Sequence, residues 1–402
     1  MTATAQPAGS AAHRAPDDRA TLLRWAEIDT AALRHNASAI RALLQPATQL
    51  MAMVKSNGYG HGAEIAARAA LDGGATWLGV YTPDEALELR AAGLDGPMFV
   101  AGWCPWATHA ALIRAGVDFS VFDIGTARSA AETAQSLGLR ARVHVKIDTG
   151  LSRLGVRPEH LDELLRALAS LPSLDVVGVL THYADAEVDA EFTREQHKRF
   201  LEAAASVHTH WPEAMRHTAG SAAILNFPET HHELVRLGIA LYGYGAPGHG
   251  TAVDLQPAMT VLARIAQVKT ISAGETVGYG RTWRARARTR IATVAIGYGQ
   301  AVPRALSNCG QFVVRGQRCA ITGVVNMDQV SLDVSTVEHV EPGDVAMFFG
   351  RRDGVVLGAD GVAAIAGTLP HEVMCGVSAS VPRIAVDGSG HGLDGGRPTA
   401  VP

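Results

Sequence analysis

Residues 49–71 read QLMAMVKSNGYGHGAEIAARAAL, which is a short apolar run, a glycine-rich turn and an Ala/Leu-rich helical pattern. This order predicts one β-strand followed by one α-helix. The alternation continues to about residue 245 through seven more apolar runs: TWLGVYT, PMFVAG, DFSVFD, ARVHVKID, DVVGVLTHY, RHTAGS and LVRLGIALYG. Eight strands with intervening helices favour an α/β fold, a (β/α)8 TIM-type barrel over residues 21–248, rather than an open doubly wound sheet.

A different pattern begins after about residue 250. Long helical stretches give way to the β-patterned segments MTVLARIAQVKTI, RTRIATVAIGYG, QFVVRGQRCAITGVVNM, QVSLDV and DVAMFFG. They predict a mostly β C-terminal domain over residues 249–388, joined to the barrel through GHGTAVDLQP at 248–257. We expect a disordered tail at residues 1–20 and a flexible tail at 389–402.

The composition is that of a globular protein without a basic surface for nucleic acid. Of 402 residues, 47% are hydrophobic and 18% are charged, and the net charge is -4. We therefore expect small-molecule chemistry and neither a nucleic-acid nor a membrane partner. The four cysteines show no CxxC spacing, which argues against a zinc site or a disulfide framework. No run reaches the ~20 apolar residues of a membrane span and residues 1–20 hold no signal-peptide core, so we expect a cytoplasmic location.

The lysines are few enough to be compared one by one. The chain has only Lys55, Lys146, Lys198 and Lys269. Barrel enzymes bind their substrates at the C-terminal ends of the strands, and Lys55 stands there, between the apolar MAMV and the turn SNGYGHG. A partly buried amine at this place suits attack on an aldehyde. The alternative is a lysine that merely extends its ammonium from a strand end into solvent.

Three glycine-containing turns follow predicted barrel strands. They are SNGYGHG with Tyr59, GSAAI with Ser221, and the LGI segment with Gly238 and Ile239. Glycines allow the backbone to approach a ligand closely, and backbone N–H groups at such turns can bind phosphate. Together with Lys55, the turns predict a phosphate-bearing cofactor.

Several motifs resemble the alanine racemase family. They are MVKSNGYGHG, HVKIDTGLSRLGV, LTHYA, VRLGIALYG, VGYGRTW and NMDQVSLDV, in the order of the family and spread over residues 22–383. The resemblance implies pyridoxal 5'-phosphate held as an internal aldimine on Lys55. It also implies that a segment near residues 22–30 adds a strand to the β domain.

The resemblance implies a two-base mechanism. Lys55 would be one proton-transfer base and Tyr279 the other, because racemisation requires proton transfer on both faces of a planar carbanion. A phenol titrates near ~10, so Tyr279 needs cationic neighbours, for which Arg153 and His182 are the candidates. A turn tyrosine without a catalytic role and a buried structural histidine are the alternatives for Tyr279 and His182.

Further residues are implied to bind the cofactor. The family places an arginine, here Arg236, against the pyridine nitrogen, where its lasting charge leaves that nitrogen unprotonated. The cofactor-binding set is completed by Tyr59, His182, Ser221, Gly238, Ile239 and His371.

Other expectations concern the substrate and the assembly. Arg153 and Met327 are the implied substrate contacts, and Asp328 is a candidate for orienting the Met327 loop. Lys146 would be carbamylated and paired with Arg153, the alternative being a plain ion pair with Asp148 or another carboxylate. The family also implies a homodimer in which Tyr279 and Met327 reach the barrel mouth of the other subunit.

Departures from the family pattern leave the substrate open. His371 stands where a tyrosine is usual, Gly220 where asparagine is usual and Asn326 where cysteine is common. The leading hypothesis is interconversion of L-alanine and D-alanine, which supplies D-alanine for peptidoglycan. The alternatives are a serine or broad-specificity racemase, a non-catalytic pyridoxal phosphate carrier and a decarboxylase of related fold.

Overall fold

The computed structural model describes residues 16–245 and 253–388. They form two compact units. One unit runs from Ala31 to Gln256, and the other combines the residues through Thr30 with those from Pro257 onward.

The predicted tails and joint fall largely on other residues. Positions 1–15 of the first tail, the second tail at 389–402 and positions 248–252 of the joint lie outside the described residues. The described end of the first tail, Pro16–Thr21, is a 3-10 helix, and the Arg19 guanidinium pairs with the Glu27 carboxylate at 3.0 Å. This ion pair fastens the segment to the strand that follows.

The Ala31–Gln256 unit contains a barrel of eight parallel strands, which confirms the predicted fold class. The first strand of the chain, β1 (Arg24–Asp29), belongs to the other unit. The barrel strands are β2 (Gln49–Met53), β3 (Trp77–Val80), β4 (Met98–Val100), β5 (Asp118–Val121), β6 (Ala141–Lys146), β7 (Leu174–Leu180), β8 (Met215–His217) and β9 (Leu234–Leu237). Their order is β8-β7-β6-β5-β4-β3-β2-β9, and the Arg236 N–H donates to the Ala219 carbonyl at 2.9 Å where β8 and β9 meet.

Helices alternate with these strands. They are α1 (Thr30–Leu43), α2 (Lys55–Tyr59), α3 (Ala63–Asp72), α4 (Pro83–Ala91), α5 (His109–Arg114), α6 (Ile124–Leu137), α7 (Leu161–Ala169), α8 (Ala190–His210) and α9 (Ser221–Asn226), with 3-10 helices at Trp106–Thr108, Pro158–His160, Pro228–Thr230 and Ile239–Tyr242. Local sequence explains α7, for example, because its four leucines lie on one buried face of the helix. Within residues 16–245 and 253–388, none of the helices combines the length and the apolarity that a bilayer crossing requires.

Some predicted strands are longer than the observed ones. The strand expected through Lys55 ends at Met53, because the backbone turns left-handed after Lys55. The run LVRLGIALYG divides into β9 and the 3-10 helix Ile239–Tyr242, since Gly238 leaves the extended conformation with φ -101° and ψ -110°. Apolar runs alone do not separate a strand from the buried turn after it.

The barrel interior is partly polar. His144 on β6 and His217 on β8 are fully buried, and the Phe99 ring packs against both, with centroid distances of 4.6 and 5.4 Å. A Cβ at Gly178 on β7 would lie 2.1 Å from His144 Nδ1. Glycine at this position therefore provides the space for a histidine inside the barrel.

The second unit is mostly β. Its elements are β1, β10 (Met259–Ile271), β11 (Thr276–Val277), β12 (Trp283–Arg284), β13 (Thr289–Val294), β14 (Gln311–Val314), β15 (Gln317–Ala320), β16 (Val330–Asp333), β17 (Val345–Arg352), β18 (Val355–Leu357), β19 (Arg383–Val386), α10 (Ala359–Ala366) and α11 (Pro370–Cys375), with 3-10 helices at Pro16–Thr21, Tyr279–Arg281 and Arg304–Leu306. In the main sheet, β1 pairs with β10 antiparallel and with β19 parallel. The predicted segment MTVLARIAQVKTI coincides with β10.

Replacing Gly178 tests the packing of the barrel interior. We expect Gly178→Ala to lower the free energy of unfolding by about 2 kcal/mol or more, because the His144 ring must move away from the new methyl group. Guanidinium unfolding followed by tryptophan fluorescence measures the change. Gly96→Ala is the control, since a Cβ at Gly96 meets nothing within 4 Å. Equal unfolding midpoints for the two variants would contradict this packing.

Candidate active site

Lys55 begins a left-handed turn at the end of the first barrel strand. The φ angles of Ser56, Asn57, Gly58 and Tyr59 are 54°, 52°, 62° and 50°. Left-handed conformation costs a non-glycine residue roughly 1–2 kcal/mol, so three of these four residues are strained. The Gly58 N–H donates to the Val54 carbonyl at 2.8 Å, and Asn57 Oδ1 accepts the N–H of the first α3 residue at 2.9 Å.

Glu85 holds this turn from the neighbouring βα unit. Its carboxylate accepts the Ser56 N–H at 2.5 Å and the Tyr81 N–H at 2.8 Å. It also forms the capping box of α4 with Thr82. Sequence reasoning did not identify Glu85, because a capping box at a helix start gives no sign of a second role toward another strand.

Four cationic side chains act on one another at the strand ends of the barrel. Burial is the largest influence on Lys146, and with the charges of Arg236, Arg153 and Lys55 it lowers the pKa of Lys146 to about 8, against an opposing effect of Asp148. Lys146 Nζ donates to a backbone carbonyl, that of residue 101, at 3.1 Å. Such a cluster of four cations favours the binding of an anion.

His182 lies beside these cations and is neutral. Burial lowers its pKa to about 3, with further lowering by Arg236, Arg153 and the two lysines, although part of the ring remains exposed. Arg236 Nη2 lies 3.2 Å from His182 Nδ1. Because a guanidinium can only donate, Nδ1 is the acceptor and the ring proton is on Nε2.

Arg236, like Lys146, is buried. It donates to the carbonyls of His217, Thr181 and Thr218 at 2.5, 2.8 and 2.9 Å. Burial lowers its pKa to about 10, so it stays charged at neutral pH. Three carbonyl acceptors replace the water that this guanidinium loses.

A row of buried polar groups continues behind Arg236. Its Nη1 lies 3.1 Å from His217 Nδ1, His217 Nε2 lies 2.9 Å from His144 Nδ1, and His144 Nε2 lies 3.2 Å from Asp118 Oδ2. Arg142 Nε donates to Asp118 Oδ1 at 2.8 Å. Sequence reasoning missed His144, His217 and Asp118. The alternation Arg142, His144, Lys146 on one face of β6 was the available signal.

Small residues and hydroxyl groups meet at the start of α9. Ser221 Oγ accepts the N–H groups of Gly238 and Ala240 at 2.9 and 3.2 Å. A Cβ at Gly238 would lie 3.0 Å from Tyr59 Oη, and Ile239, which follows, is buried. The structure therefore groups Tyr59, Ser221, Gly238 and Ile239, as three separate sequence motifs predicted.

The remaining predicted site residues lie in the other unit. Tyr279 is 76% exposed, on a turn between Gly278 and Gly280 with φ angles of 74° and 69°, and Met327 is 57% exposed. His371 lies in α11 and is partly exposed.

Asp328, the candidate for orienting the Met327 loop, accepts a hydrogen bond at Oδ1 from Gln300 Nε2 at 2.7 Å, which ties this loop to the turn at residues 297–300. The two lysines outside the candidate site, Lys198 and Lys269, are exposed.

Known proteins match this chain over nearly its whole length. Residues 28–246 match the family model described as "Alanine racemase, N-terminal domain", and residues 258–385 match "Alanine racemase, C-terminal domain". An alanine racemase of Desulforamulus reducens is 42% identical over 371 residues, which cover 90% of this chain and 98% of the relative.

Solved structures agree with the sequence matches. The crystal structure of alanine racemase from the D-cycloserine-producing Streptomyces lavendulae superposes with a TM-score of 0.86 at 38% identity, covering 91% of this chain and 97% of that one. The alanine racemase of Bacillus anthracis with bound L-Ala-P superposes with a TM-score of 0.84 at 32% identity, covering 90% and 95%.

The lowered pKa of Lys146 predicts a pH-dependent stability. Because its folded-state pKa of about 8 is below the ordinary 10.5, the unfolded protein binds more protons between these values, and stability rises with pH there. Relative to Lys146→Met, the wild type should gain about 2 kcal/mol of unfolding free energy between pH 7.5 and pH 10. Urea unfolding in CO2-free buffer measures this, and Lys198→Met, at an exposed lysine, is the control. A difference in unfolding free energy between the wild type and Lys146→Met that stays constant with pH would show that folding does not disfavour the Lys146 ammonium.

Proposed function

The chain belongs to the alanine racemase family, and on that premise we propose that it interconverts L-alanine and D-alanine at the strand ends of its barrel. One observation carries the proposal: Lys55 stands on a strained turn beside Lys146, Arg153 and Arg236, with a neutral His182 among them. Such a site provides an amine and a positive field together. Both are needed to bind and deprotonate an amino acid whose carboxylate is negative.

The proposed cofactor is pyridoxal 5'-phosphate. When bound, it supplies an aldehyde for covalent attachment and an electron-accepting ring that stabilises negative charge at the α-carbon. Lys55 would hold it through Nζ. The residues proposed for its phosphate are Tyr59, Ser221, Gly238, Ile239 and His371.

These residues fit such a group chemically. A Cβ at Gly238 would make a tight contact with Tyr59 Oη at 3.0 Å, and the surroundings are rich in hydroxyl and N–H groups. Arg236 and His182 would face the ring, and the guanidinium would donate to the pyridine nitrogen. Because Arg236 keeps its proton at neutral pH, this nitrogen would remain an acceptor.

Two groups would move the α-proton. Lys55 would serve one face of the α-carbon and the Tyr279 phenol the other, since a single base returns the proton to the face from which it came. Arg153 and His182 are the proposed neighbours of the phenol, and Arg153 would also bind the substrate carboxylate.

The proposal includes a homodimer with shared active sites. Tyr279 and Met327 project from their own unit with exposures of 76% and 57%, which suits residues that complete the barrel mouth of a second copy. Met327 would then contact the substrate. A cytoplasmic enzyme that supplies D-alanine for peptidoglycan is the cellular role that family membership suggests.

Carbamylation of Lys146 is part of the same proposal. A neutral Lys146 amine would add to CO2 and release one proton, leaving an N-carboxylate. This change would convert a disfavoured buried cation into an anion opposite Arg153. The lowered pKa of Lys146 supports it, because a larger fraction of the amine is neutral near pH 8.

Variants of the two proposed bases test the function. Purified protein supplied with pyridoxal phosphate should form D-alanine from L-alanine, and Lys55→Ala and Tyr279→Phe should each lose roughly 10²- to 10⁴-fold in kcat, the usual contribution of general acid–base catalysis. Chiral chromatography measures the product. Lys198→Ala, at an exposed lysine outside the site, is the control for the loss of a lysine.

Other outcomes would identify the alternative functions. Undiminished turnover in either base variant would refute the two-base assignment. Binding of amino acid without α-deuterium exchange in D2O would identify a carrier, and release of CO2 from lysine, ornithine or arginine would identify a decarboxylase.

A serine or broad-specificity racemase is the second candidate, favoured by His371. We expect kcat/KM for alanine to exceed that for serine by more than about tenfold, and His371→Tyr to widen this ratio, since a methylene or hydroxyl difference in a pocket is worth roughly 10- to 200-fold. A panel of amino acids with both proteins measures it. Comparable values for alanine and serine in the wild type would favour the broad-specificity enzyme.

A further inference from the structure

The barrel interior contains a row of side chains that links its two ends. Asp118 is the first residue of β5 and lies at the N-terminal end of the barrel, whereas Arg236, the third residue of β9, reaches the strand ends of the candidate site. His144 and His217 lie between them, within hydrogen-bond distance at every step. Both imidazoles are fully buried, and Asp118 is 3% exposed.

Donor and acceptor rules determine every proton position in this row. Arg236 can only donate, so His217 Nδ1 must accept and His217 Nε2 must carry the proton. His144 Nδ1 then accepts from His217, and His144 Nε2 donates to Asp118. Two neutral imidazoles of the Nε2–H tautomer and an ionised Asp118 satisfy all three contacts.

The opposite arrangement is unfavourable at both ends of the row. If His144 carried its proton on Nδ1, its Nε2 would face Asp118 as an acceptor, and the carboxyl would have to be protonated. His217 would then present an N–H toward Arg236 Nη1 at 3.1 Å, which places two donors against each other. The charge of Asp118 is thereby coupled to the hydrogen bonding of Arg236.

Electrostatics favour the first arrangement. Burial raises the pKa of Asp118, but the hydrogen bonds from His144 and Arg142 and the charge of Arg142 outweigh it, and the pKa lies below its ordinary value. Burial, and after it the charge of Arg236, holds the pKa of His217 well below 6.5. Asp118 is therefore ionised and His217 neutral at neutral pH.

We propose that Asp118 is a remote positioning residue. Through the tautomers of His144 and His217, Asp118 fixes the orientation and the hydrogen bonding of the Arg236 guanidinium. It thereby sets how strongly a cofactor ring withdraws electrons when its nitrogen is bound by that guanidinium. This inference rests on the proposed function, because the ring nitrogen belongs to the proposed cofactor. Asp118 itself touches neither the cofactor nor the substrate.

The packing around the row explains why the effect reaches Arg236. Phe99 covers both imidazoles, the Trp77 ring meets His144 edge-on at 6.1 Å, and the His144 ring packs against Gly178, where an added Cβ would lie 2.1 Å from Nδ1. The rings therefore cannot rotate freely to find new partners. A change at Asp118 has to be accommodated by the proton positions of the histidines.

The first experiment determines the tautomers in the wild-type holoenzyme. Selective 15N-histidine labelling and solid-state NMR, with assignment through His144→Gln and His217→Gln, should show both rings neutral with the proton on Nε2. A protonated His217, or one with its proton on Nδ1, would overturn the proposal directly. This readout needs neither turnover nor a variant of Asp118.

The second experiment removes the acceptor at Asp118. Asp118→Leu should shift the 15N signals of His144 and His217, change the visible absorption of the bound cofactor, and lower kcat for alanine by roughly 10- to 100-fold, the usual effect of removing an outer partner. KM should stay within about twofold. Asp118→Asn retains an oxygen acceptor for His144, and we expect it to restore the Nε2–H tautomers and most of kcat.

A matched control lies at the same end of the barrel. Asp175 pairs with Arg140 on the exposed rim and is not part of the row, so Asp175→Leu should leave the 15N signals, the spectrum and kcat unchanged. If Asp118→Leu does not fold, the wild-type tautomers still decide the matter, since a wild-type His217 with its proton on Nδ1 would refute the role assigned to Asp118.

The outcomes separate this inference from the proposed function. A wild type that racemises alanine, with an Asp118→Leu variant of unchanged kcat and spectrum, would overturn the inference and leave the function standing. A wild type without racemase activity would refute the function, and with it the role assigned to Asp118 toward the cofactor.

Discussion

Burial of the Arg236 guanidinium is the constraint on which the site depends. A cation taken out of water at the end of β9 must find acceptors within the protein, and the carbonyls of Thr181, His217 and Thr218 provide them. These carbonyls belong to the ends of β7 and β8. The closure of the barrel therefore also brings together the acceptors that replace water around this charge. His182 and His217 lie within hydrogen-bond distance of the same guanidinium, and burial together with this charge keeps both rings neutral.

The same charge shapes its surroundings. Lys146 loses part of its affinity for a proton because it is buried and because Arg236 lies near it. Asp148, which opposes this effect, already accepts the N–H groups of Gly150 and Ser152. The excess of positive charge is therefore not neutralised by the barrel itself. A ligand with negative groups would neutralise this excess of positive charge.

Sequence alone predicted the barrel, because eight apolar runs alternate with helical patterns in a way that few other folds share. It also singled out Lys55 as a candidate, since a lysine at a buried strand end is rare enough to be noticed among four. It could not find Glu85, His144 or Asp118. Their roles arise when neighbouring strands come into register, and a polar residue inside a strand looks the same whether it faces a barrel interior or a helix. Strand ends were also misplaced, by two residues for β2 and by six for β9, because the left-handed backbone at Ser56 and Asn57 and the turn at Gly238 have no strong signature in largely apolar runs.

The rigid turn after β2 limits how the Lys55 side chain can move. Its backbone is pinned by Val54 on one side, by Asn57 on the other and by the carboxylate of Glu85 from a neighbouring helix. When the Lys55 amine changes its binding partner during a reaction, the Cα atom of Lys55 stays in place. Only the four side-chain torsions of Lys55 can rotate. The amine can therefore move only a short distance around the fixed Cα atom. This keeps it within reach of the same face of a bound molecule throughout a catalytic cycle.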